Sequence, residues 1–301
     1  MSVADGIRRP ERMRRYDSPY GASPKNWLTQ WGNQGVLQNY SLFFFPTHEK
    51  AKIIVVLLHQ LGYCMTDLID SLDITTKKAL AEYLREFVME ERNERLLSVL
   101  KNRTRHFTVV LEDLYQTQNI SAVMRTCECY GVQDIHIIEN ENEFTTHSAI
   151  TMGADKWLTI SNYKRCKGNV RQCADRLHAA GYTLVATRPA ENSVFIEDLP
   201  IDQKTAFFFG TELTGLSDEA KAVCDRAVKI PMYGFTESFN ISNSVAILIS
   251  NVIERLHRSD VEWHLSEDEQ TEIYFDWLRK SARSADELID RYLTTHPSIT
   301  K

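Results

Sequence analysis

The residues best suited to chemistry lie in three polar segments, 119–126, 209–217 and 230–242. The polar and charged side chains in these segments that bear on the argument are Asn119, Arg125, Glu212, Ser238 and Asn240. A planar guanidinium suits a phosphate group and can stabilise a developing alkoxide. Taken one at a time, these residues also suit simpler roles: a solvated arginine, a carboxylate in a surface loop, and polar caps at helix starts. Their chemistry therefore depends on whether the fold brings them together.

Two common nucleotide-binding patterns do not fit the sequence. No glycine-rich turn follows the predicted strand 107–111, which excludes a Rossmann dinucleotide site there. The segment 210–217 has the glycine spacing of a P-loop, but Leu216 occupies the position of the phosphate-binding lysine. The six cysteines show no CxxC pair, so we expect neither a structural zinc nor a disulfide framework. The sequence therefore predicts a site without a metal and without phosphoryl transfer.

Apolar runs alternate with helical patterns through the middle of the chain. Strands are predicted at 107–111, 134–138, 157–160, 182–186, 206–209 and 227–230. This alternation predicts an α/β fold with a mostly parallel sheet and helices on both faces. The last of these helices is expected to run from Ile241 to Leu256 with a buried apolar stripe. Asn119 is predicted to cap the helix that follows the first strand.

Further helices are predicted on both sides of this domain. Apolar residues recur at helical spacing over 80–88, and Ser266 with Glu269 and Ser284 with Glu287 form capping-box signatures near the C-terminus. The predicted parts of the chain are a poorly patterned extension (1–64), N-terminal helices (65–106), the main domain (107–258) and C-terminal helices (259–301).

The extension shows no hydrophobic period, and Met65 stands just before the first convincing helical pattern. We expect residues 1–64 to be disordered or to precede the true start of the protein. No run approaches the roughly 18 apolar residues of a transmembrane helix, and no secretory signal pattern is recognisable. We therefore expect a cytoplasmic protein.

Taken together, the three polar segments resemble the three motifs of the SPOUT RNA 2′-O-ribose methyltransferases, the SpoU/TrmH family. The first begins with Asn119 and includes Arg125, the second surrounds Glu212 with glycines, and the third ends in Ser238 and Asn240. The resemblance runs from about residue 92 to about residue 293. It implies a C-terminal deep trefoil knot, S-adenosylmethionine as the cofactor and a homodimer.

The resemblance also assigns roles to single residues. Arg125 stands where the family has its catalytic arginine, and Glu212 stands where a glutamate supports the catalytic loops. The cofactor contacts carried over from the family are Thr187, Gly210, Ile230 and Phe239. Ser238 and Asn240 match active-site positions. One departure is clear: two positions before the motif asparagine, where the family usually has a proline, this chain has Thr117.

The substrate implied by this resemblance is RNA. Likeness to TrmH enzymes favours tRNA, at the guanosine at position 18 of the D-loop. Because the net charge is −6, RNA would have to be bound by local basic clusters. The predicted RNA-binding residues are Lys101, Arg103, Arg105, Arg279, Lys280 and Arg283. Methylation of ribosomal RNA and a catalytically silent, knotted RNA-binding factor are the alternatives.

Overall fold

A seven-stranded sheet forms the centre of the protein. The computed structural model describes residues 69, 71–145 and 148–296, so the extension at 1–64 lies outside the described residues. The strands are β1 (Phe107–Glu112), β2 (Asp134–Ile138), β3 (Thr159–Tyr163), β4 (Thr183–Thr187), β5 (Val194–Phe195), β6 (Thr205–Phe209) and β7 (Arg226–Lys229). All of their pairings are parallel, in the order β3-β2-β1-β6-β4-β7-β5. The predicted α/β fold with a parallel sheet is confirmed.

Helices cover both faces of the sheet and continue beyond it. They are α1 (Ile74–Arg85), α2 (Glu90–Leu100), α3 (Thr117–Cys129), α4 (Ser148–Thr151), α5 (Asn169–Ala179), α6 (Asp218–Val223), α7 (Ile241–His257), α8 (Glu267–Ser281) and α9 (Ala285–Thr295). One face of the sheet packs against α3 and α7, and the other packs against α5 and α6. Because both faces are covered, all six residues of β1 are buried, and the strand is mostly apolar instead of alternating between apolar and polar residues.

Helix α7 carries the predicted apolar stripe, and the structure confirms that this stripe is buried. It shares a core with α3 and the sheet, and its residues Val245, Leu248 and Val252 are fully buried. Truncating a leucine in such a core typically costs about 2–5 kcal/mol. Leu248 also lines the cleft described below, so the same helix supports the fold and the site.

One predicted strand needs correction, and one strand was missed. Strand β3 begins at Thr159, two residues later than expected, because Trp157 packs against Trp277 with ring centroids 5.8 Å apart. The Trp157 carbonyl oxygen also accepts from Trp277 Nε1 at 3.0 Å. Strand β5 was not predicted, since two residues are too few to show a period.

The helices before and after the main domain pack together. Helices α1, α2, α8 and α9 share one hydrophobic core, with Leu84, Trp277 and Leu278 among its fully or almost fully buried residues. The predicted capping box of α8 is confirmed, with Ser266 and Glu269 bonded reciprocally. The predicted cap of α9 is wrong, because Ser284 adopts a left-handed conformation (φ 53°) and makes no side-chain cap bond. The two terminal segments thus form a single helical unit.

Candidate active site

The chain segments that follow β4, β6 and β7 line a cleft at one edge of the sheet. The carboxyl ends of parallel strands are the usual position of ligand sites in α/β folds. The structure brings together six of the predicted site residues in this lining: Thr187, Gly210, Glu212, Ile230, Ser238 and Phe239. All four positions expected to contact the cofactor are therefore neighbours.

Gly210 allows two backbone segments of the cleft to pack closely. A Cβ atom at this position would lie 2.2 Å from the carbonyl carbon of Gly215, so any other residue would collide with the backbone. Thr187 Oγ1 donates to a carbonyl oxygen of β6 at 2.7 Å and so ties the end of β4 to that strand. Ile230 and Phe239 add apolar surface. Backbone edges combined with apolar side chains suit the binding of a purine nucleoside.

The loop after β6 is closed on itself and anchored from β1. Thr211 and Gly215 exchange two backbone hydrogen bonds, of 3.1 and 3.0 Å. The buried carboxylate of Glu112, at the end of β1, accepts from the Ser217 N–H at 2.8 Å and from Ser217 Oγ at 2.5 Å. The loop that carries Glu212 is thus held at its end. The sequence analysis missed Glu112, although a carboxylate that closes an apolar strand must find partners when it is buried.

Side-chain hydrogen bonds join the three polar segments into one site. Asn119 Nδ2 donates to a carboxylate oxygen of Glu212. Asn240 Nδ2 donates to Asn119 Oδ1 at 3.2 Å, and Asn240 Oδ1 accepts from the Ser242 N–H at 2.9 Å. A backbone N–H can only donate and an ionised carboxylate can only accept, so the direction of each bond in this chain is fixed. Residues from three separate loops are therefore connected through Asn119.

Asn119 does not cap α3, and that prediction is wrong. The helix begins at Thr117 with Gln116 as its N-cap, which places Asn119 inside the first turn. Its side chain is buried and directed to the other two loops instead of the helix end. Asn240 does cap α7, since its Oδ1 accepts from the Ser242 N–H, while its Nδ2 remains available for Asn119. The amide of Asn240 thus both caps α7 and donates to Asn119.

Arg125 and Ser238 are open to solvent. Arg125 lies six residues after Asn119 in α3, about 9 Å further along the helix axis and on another face. Its side chain is exposed, lies outside the cleft lining, and makes no hydrogen bond or ion pair with the described part of the chain. Ser238 lines the cleft without a hydrogen bond to any described residue. Both groups are free to contact a substrate.

Arg103 is a core residue, so the prediction that it binds RNA is wrong. It is 1% exposed, its guanidinium carbon lies 5.3 Å from the centre of the Trp277 ring, and it pairs with Glu128 at 3.0 Å. Burial lowers the pKa of Arg103, and the Glu128 carboxylate opposes that shift. The side chain joins the helical unit to the main domain.

The other predicted RNA-binding cations divide into paired and free groups. The paired cations are Arg105 with Asp134, Arg279 with Asp286, and Lys280 with Asp276, at 3.1, 2.8 and 2.5 Å. Lys101 and Arg283 are exposed, and neither forms an ion pair within the described residues. A cation that already has a carboxylate partner must lose that partner to bind phosphate. Lys101 and Arg283, which have no such partner among the described residues, are therefore better suited to bind RNA.

A second and larger cleft lies at the opposite edge of the sheet, where the strands begin. Arg105 and Asp134 contribute to it, and so does His136. Burial lowers the pKa of His136 to about 4, with a further contribution from the positive charge of Arg176. The His136 Nδ1 atom lies 3.2 Å from the hydroxyl of Tyr163. None of the three polar segments lines this cleft, which therefore differs from the candidate site.

Within residues 69, 71–145 and 148–296, no group of three or more histidine, cysteine, aspartate or glutamate side chains could hold a metal ion. No helix in these ranges is both long enough and apolar enough to cross a membrane.

Comparison with known proteins identifies similar sequences and a similar structure. The model of the SpoU rRNA methylase family matches residues 106–250. A Borreliella burgdorferi protein named tRNA (guanosine(18)-2′-O)-methyltransferase is 41% identical over 201 residues, which are 67% of this chain and 90% of that protein. A Thermus thermophilus protein of the same name is 30% identical over 193 residues, 64% of this chain and 97% of that protein. The structure of an A. aeolicus TrmH/SpoU tRNA modifying enzyme matches with a TM-score of 0.58 and 27% identity, over 64% of this chain and 96% of that chain.

Proposed function

Since the chain belongs to the SpoU rRNA methylase family, we propose that it methylates the ribose 2′-oxygen of guanosine 18 in tRNA. It is an RNA methyltransferase, and its methyl donor is S-adenosylmethionine. The choice of tRNA is supported by similarity that extends over 90% of a relative whose name specifies this nucleotide. The observation that supports the proposal most is the hydrogen-bonded link from Glu212 through Asn119 to Asn240, beside a cleft lined by the expected cofactor residues.

The cleft residues fit the cofactor. Gly210 leaves room for backbone to approach a ligand, Thr187 is fixed at the cleft wall, and Ile230 and Phe239 provide apolar surface for an adenine ring. S-adenosylmethionine supplies a methyl group made electrophilic by its sulfonium. The residues of this chain have to align the ribose oxygen with that group, and alignment of this kind needs no metal.

Arg125 positions the RNA at the reacting oxygen. A guanidinium essentially never loses its proton, so the side chain acts as a cation and not as a general base. It would bind the phosphate next to the target ribose and stabilise the negative charge that develops on the 2′-oxygen as its proton passes to water and the oxygen takes the methyl group from sulfur. The network of Asn119, Glu212 and Asn240 holds the loops around the ribose, and Ser238 lies free at the same edge.

This proposal includes a trefoil knot in the main domain. Its support is the strand order, in which β6 lies between β1 and β4 while β7 lies on the far side of β4. The segments after β4, β6 and β7 consequently converge on one cleft. The structural match to an A. aeolicus TrmH/SpoU enzyme is consistent with such threading.

A homodimer completes the site. Arg125 lies outside the cleft of its own chain, and apolar side chains near the polar segments are left uncovered. Leu213, Tyr233 and Phe235 are 94%, 95% and 109% exposed, which is unusual for large apolar groups clustered on functional loops. A second copy would cover them and supply a cation near the cleft. Light scattering at micromolar concentration should give twice the chain mass of 34.8 kDa, and a fully active monomer would contradict the proposal.

The RNA surface includes Lys101 and Arg283, with Arg105, Arg279 and Lys280 contributing only if they exchange their carboxylate partners for phosphates. The enzyme acts on cytoplasmic tRNA in this proposal. Ribosomal RNA is the alternative substrate, and the methyl-transfer assay described next distinguishes it from tRNA.

The test is methyl transfer from labelled S-adenosylmethionine by the full chain. The substrates are a tRNA transcript, the same tRNA with 2′-deoxyguanosine at position 18, and ribosomal RNA. We expect label in the first and none in the second, because the deoxy nucleotide lacks the acceptor oxygen. Label in the deoxy tRNA or only in ribosomal RNA would contradict the assigned substrate. Binding of tRNA without any transfer would support the catalytically silent alternative.

A further inference from the structure

Gln116 is bonded to the amide that joins the three loops. The two Nδ2 protons of Asn119 are directed to two acceptors, a carboxylate oxygen of Glu212 and Oε1 of Gln116, the latter at 3.1 Å. Asn119 Oδ1 accepts from Asn240. With both donors and the oxygen engaged, the amide of Asn119 has one orientation that satisfies all three neighbours.

The position of Gln116 at the helix start makes this contact unusual. Gln116 is the N-cap of α3, and its carbonyl oxygen accepts from the Asn119 N–H at 2.9 Å. A cap side chain normally accepts from a backbone N–H of the first turn, but Gln116 makes no such bond. Its side-chain oxygen is used instead for the amide of Asn119. The backbone carbonyl and the side chain of Gln116 thus both accept hydrogen bonds from Asn119.

We propose that Gln116 is a positioning residue for methyl transfer, acting through Asn119. This inference rests on the proposed function. Without Oε1 of Gln116, one proton of the Asn119 amide would turn to solvent, and the amide could rotate about its terminal torsion. The bonds to Glu212 and Asn240 would then compete with water, and the loops around the ribose would be held less firmly. The chemical step should suffer, while cofactor binding should change little.

The same turn can be stiffened in another way. Thr117 is the first residue of α3, where proline is favoured because its φ suits the helix and its missing N–H has no intrahelical partner. Gln116 has φ −87° and ψ 109°, an extended conformation that is compatible with a following proline. No hydrogen bond from the Thr117 N–H occurs within the described residues. Thr117→Pro removes the bond between Thr117 Oγ1 and Thr145 Oγ1, which is exposed and 3.0 Å long, but it fixes the backbone at the helix start. It should therefore restore rigidity to a chain that lacks the Gln116 side chain.

The experiment measures kcat and KM for tRNA, and the Kd of S-adenosylmethionine, in wild type and four variants. Gln116→Ala should lower kcat by about 2- to 5-fold, the loss of one hydrogen bond, with the cofactor Kd unchanged. Gln116→Glu keeps an acceptor for Asn119 but adds a negative charge near Glu212, so it should lose less kcat than Gln116→Ala. Gln116→Ala combined with Thr117→Pro should recover at least half of the lost kcat. The matched control is Gln118→Ala, an exposed neighbour that makes no side-chain hydrogen bond within the described residues.

An unchanged kcat in folded Gln116→Ala would overturn the inference, as would an equal loss in Gln118→Ala. A loss in Gln116→Glu as large as that in Gln116→Ala would also overturn it, because the acceptor would then be irrelevant. If the proline variant fails to fold, the comparison of alanine with glutamate at residue 116 decides. Failure of the proposed function is distinguishable, since the wild-type chain itself would then transfer no methyl group to tRNA.

Discussion

Replacing Asn119 by alanine should disconnect the three loops of the site while leaving the helix intact. Asn119 makes three side-chain hydrogen bonds, to Gln116 at the start of its own helix, to Glu212 in the loop after β6 and to Asn240 at the start of α7. Alanine has a higher helix propensity than asparagine, so α3 should form normally. The variant therefore tests positioning more than folding.

The expected loss follows from these bonds. A bond to a charged group is worth about 1.5–3 kcal/mol, but Glu212 is exposed and water will replace much of that contact, so we assign it about 1 kcal/mol. The bond from Asn240 and the bond to Gln116 are each worth about 0.5–1 kcal/mol. The total of about 2–3 kcal/mol corresponds to a fall of about 30- to 150-fold in kcat/KM for tRNA.

The assay is steady-state methyl transfer to tRNA, with circular dichroism and Tm as checks on folding. Asn243→Ala is the matched control, an exposed asparagine in the first turn of α7 whose side chain makes no hydrogen bond within the described residues. In a double-mutant cycle, Asn119→Ala and Asn240→Ala should be less than additive, because each removes the same bond. Wild-type activity in folded Asn119→Ala, or strictly additive losses in the cycle, would refute the reasoning.

Three further predictions concern charge. Arg125→Ala should abolish methyl transfer with an almost unchanged Kd for S-adenosylmethionine, and near-normal turnover would remove it from the mechanism. Lys101→Ala and Arg283→Ala should each reduce the slope of log affinity for tRNA against log salt by about 0.7–0.9, measured by filter binding. Arg103→Ala should instead lower Tm, because it leaves Glu128 without its partner. Burial lowers the pKa of His136 from 6.5 to about 4, so the imidazole binds a proton more tightly in the unfolded chain than in the folded one. The free energy of unfolding should therefore fall by at most about 3 kcal/mol as the pH drops from 6.5 to 4. His136→Gln should flatten this part of the stability curve, and an unchanged curve would contradict the buried neutral histidine.

Much of the main domain could be predicted because its elements carry local signals. The mostly apolar sequence of β1 and the apolar stripe of α7 predicted the right structures, since strands covered on both faces and core-facing helices have characteristic patterns. The polar segments were recognised from their resemblance to the three motifs of the SpoU/TrmH family, since each residue taken alone also suits a simpler role. The second and third of these segments line one cleft, at Gly210 and Phe239 among others, in agreement with the rule for carboxyl ends of parallel strands.

Contacts between distant segments could not be predicted. Arg103 looks like a surface cation in sequence, and only the ring of Trp277 from the far end of the chain explains its burial. Asn119 has the residue type of a helix cap, but its partners lie in two other loops and outweigh local preference. Glu112 was overlooked for the same reason, because its partner Ser217 lies more than a hundred residues away in the sequence.

The most direct test of the proposed activity is to locate the transferred methyl group. A tRNA transcript is incubated with the full chain and S-adenosylmethionine carrying a deuterated methyl group, digested to nucleosides and oligonucleotides, and analysed by mass spectrometry. We predict one deuterated methyl group per tRNA, on the ribose 2′-oxygen of guanosine 18, and none when Arg125→Ala replaces the wild type. A methyl group on a base, or on the ribose of another nucleotide in place of this one, would contradict the account.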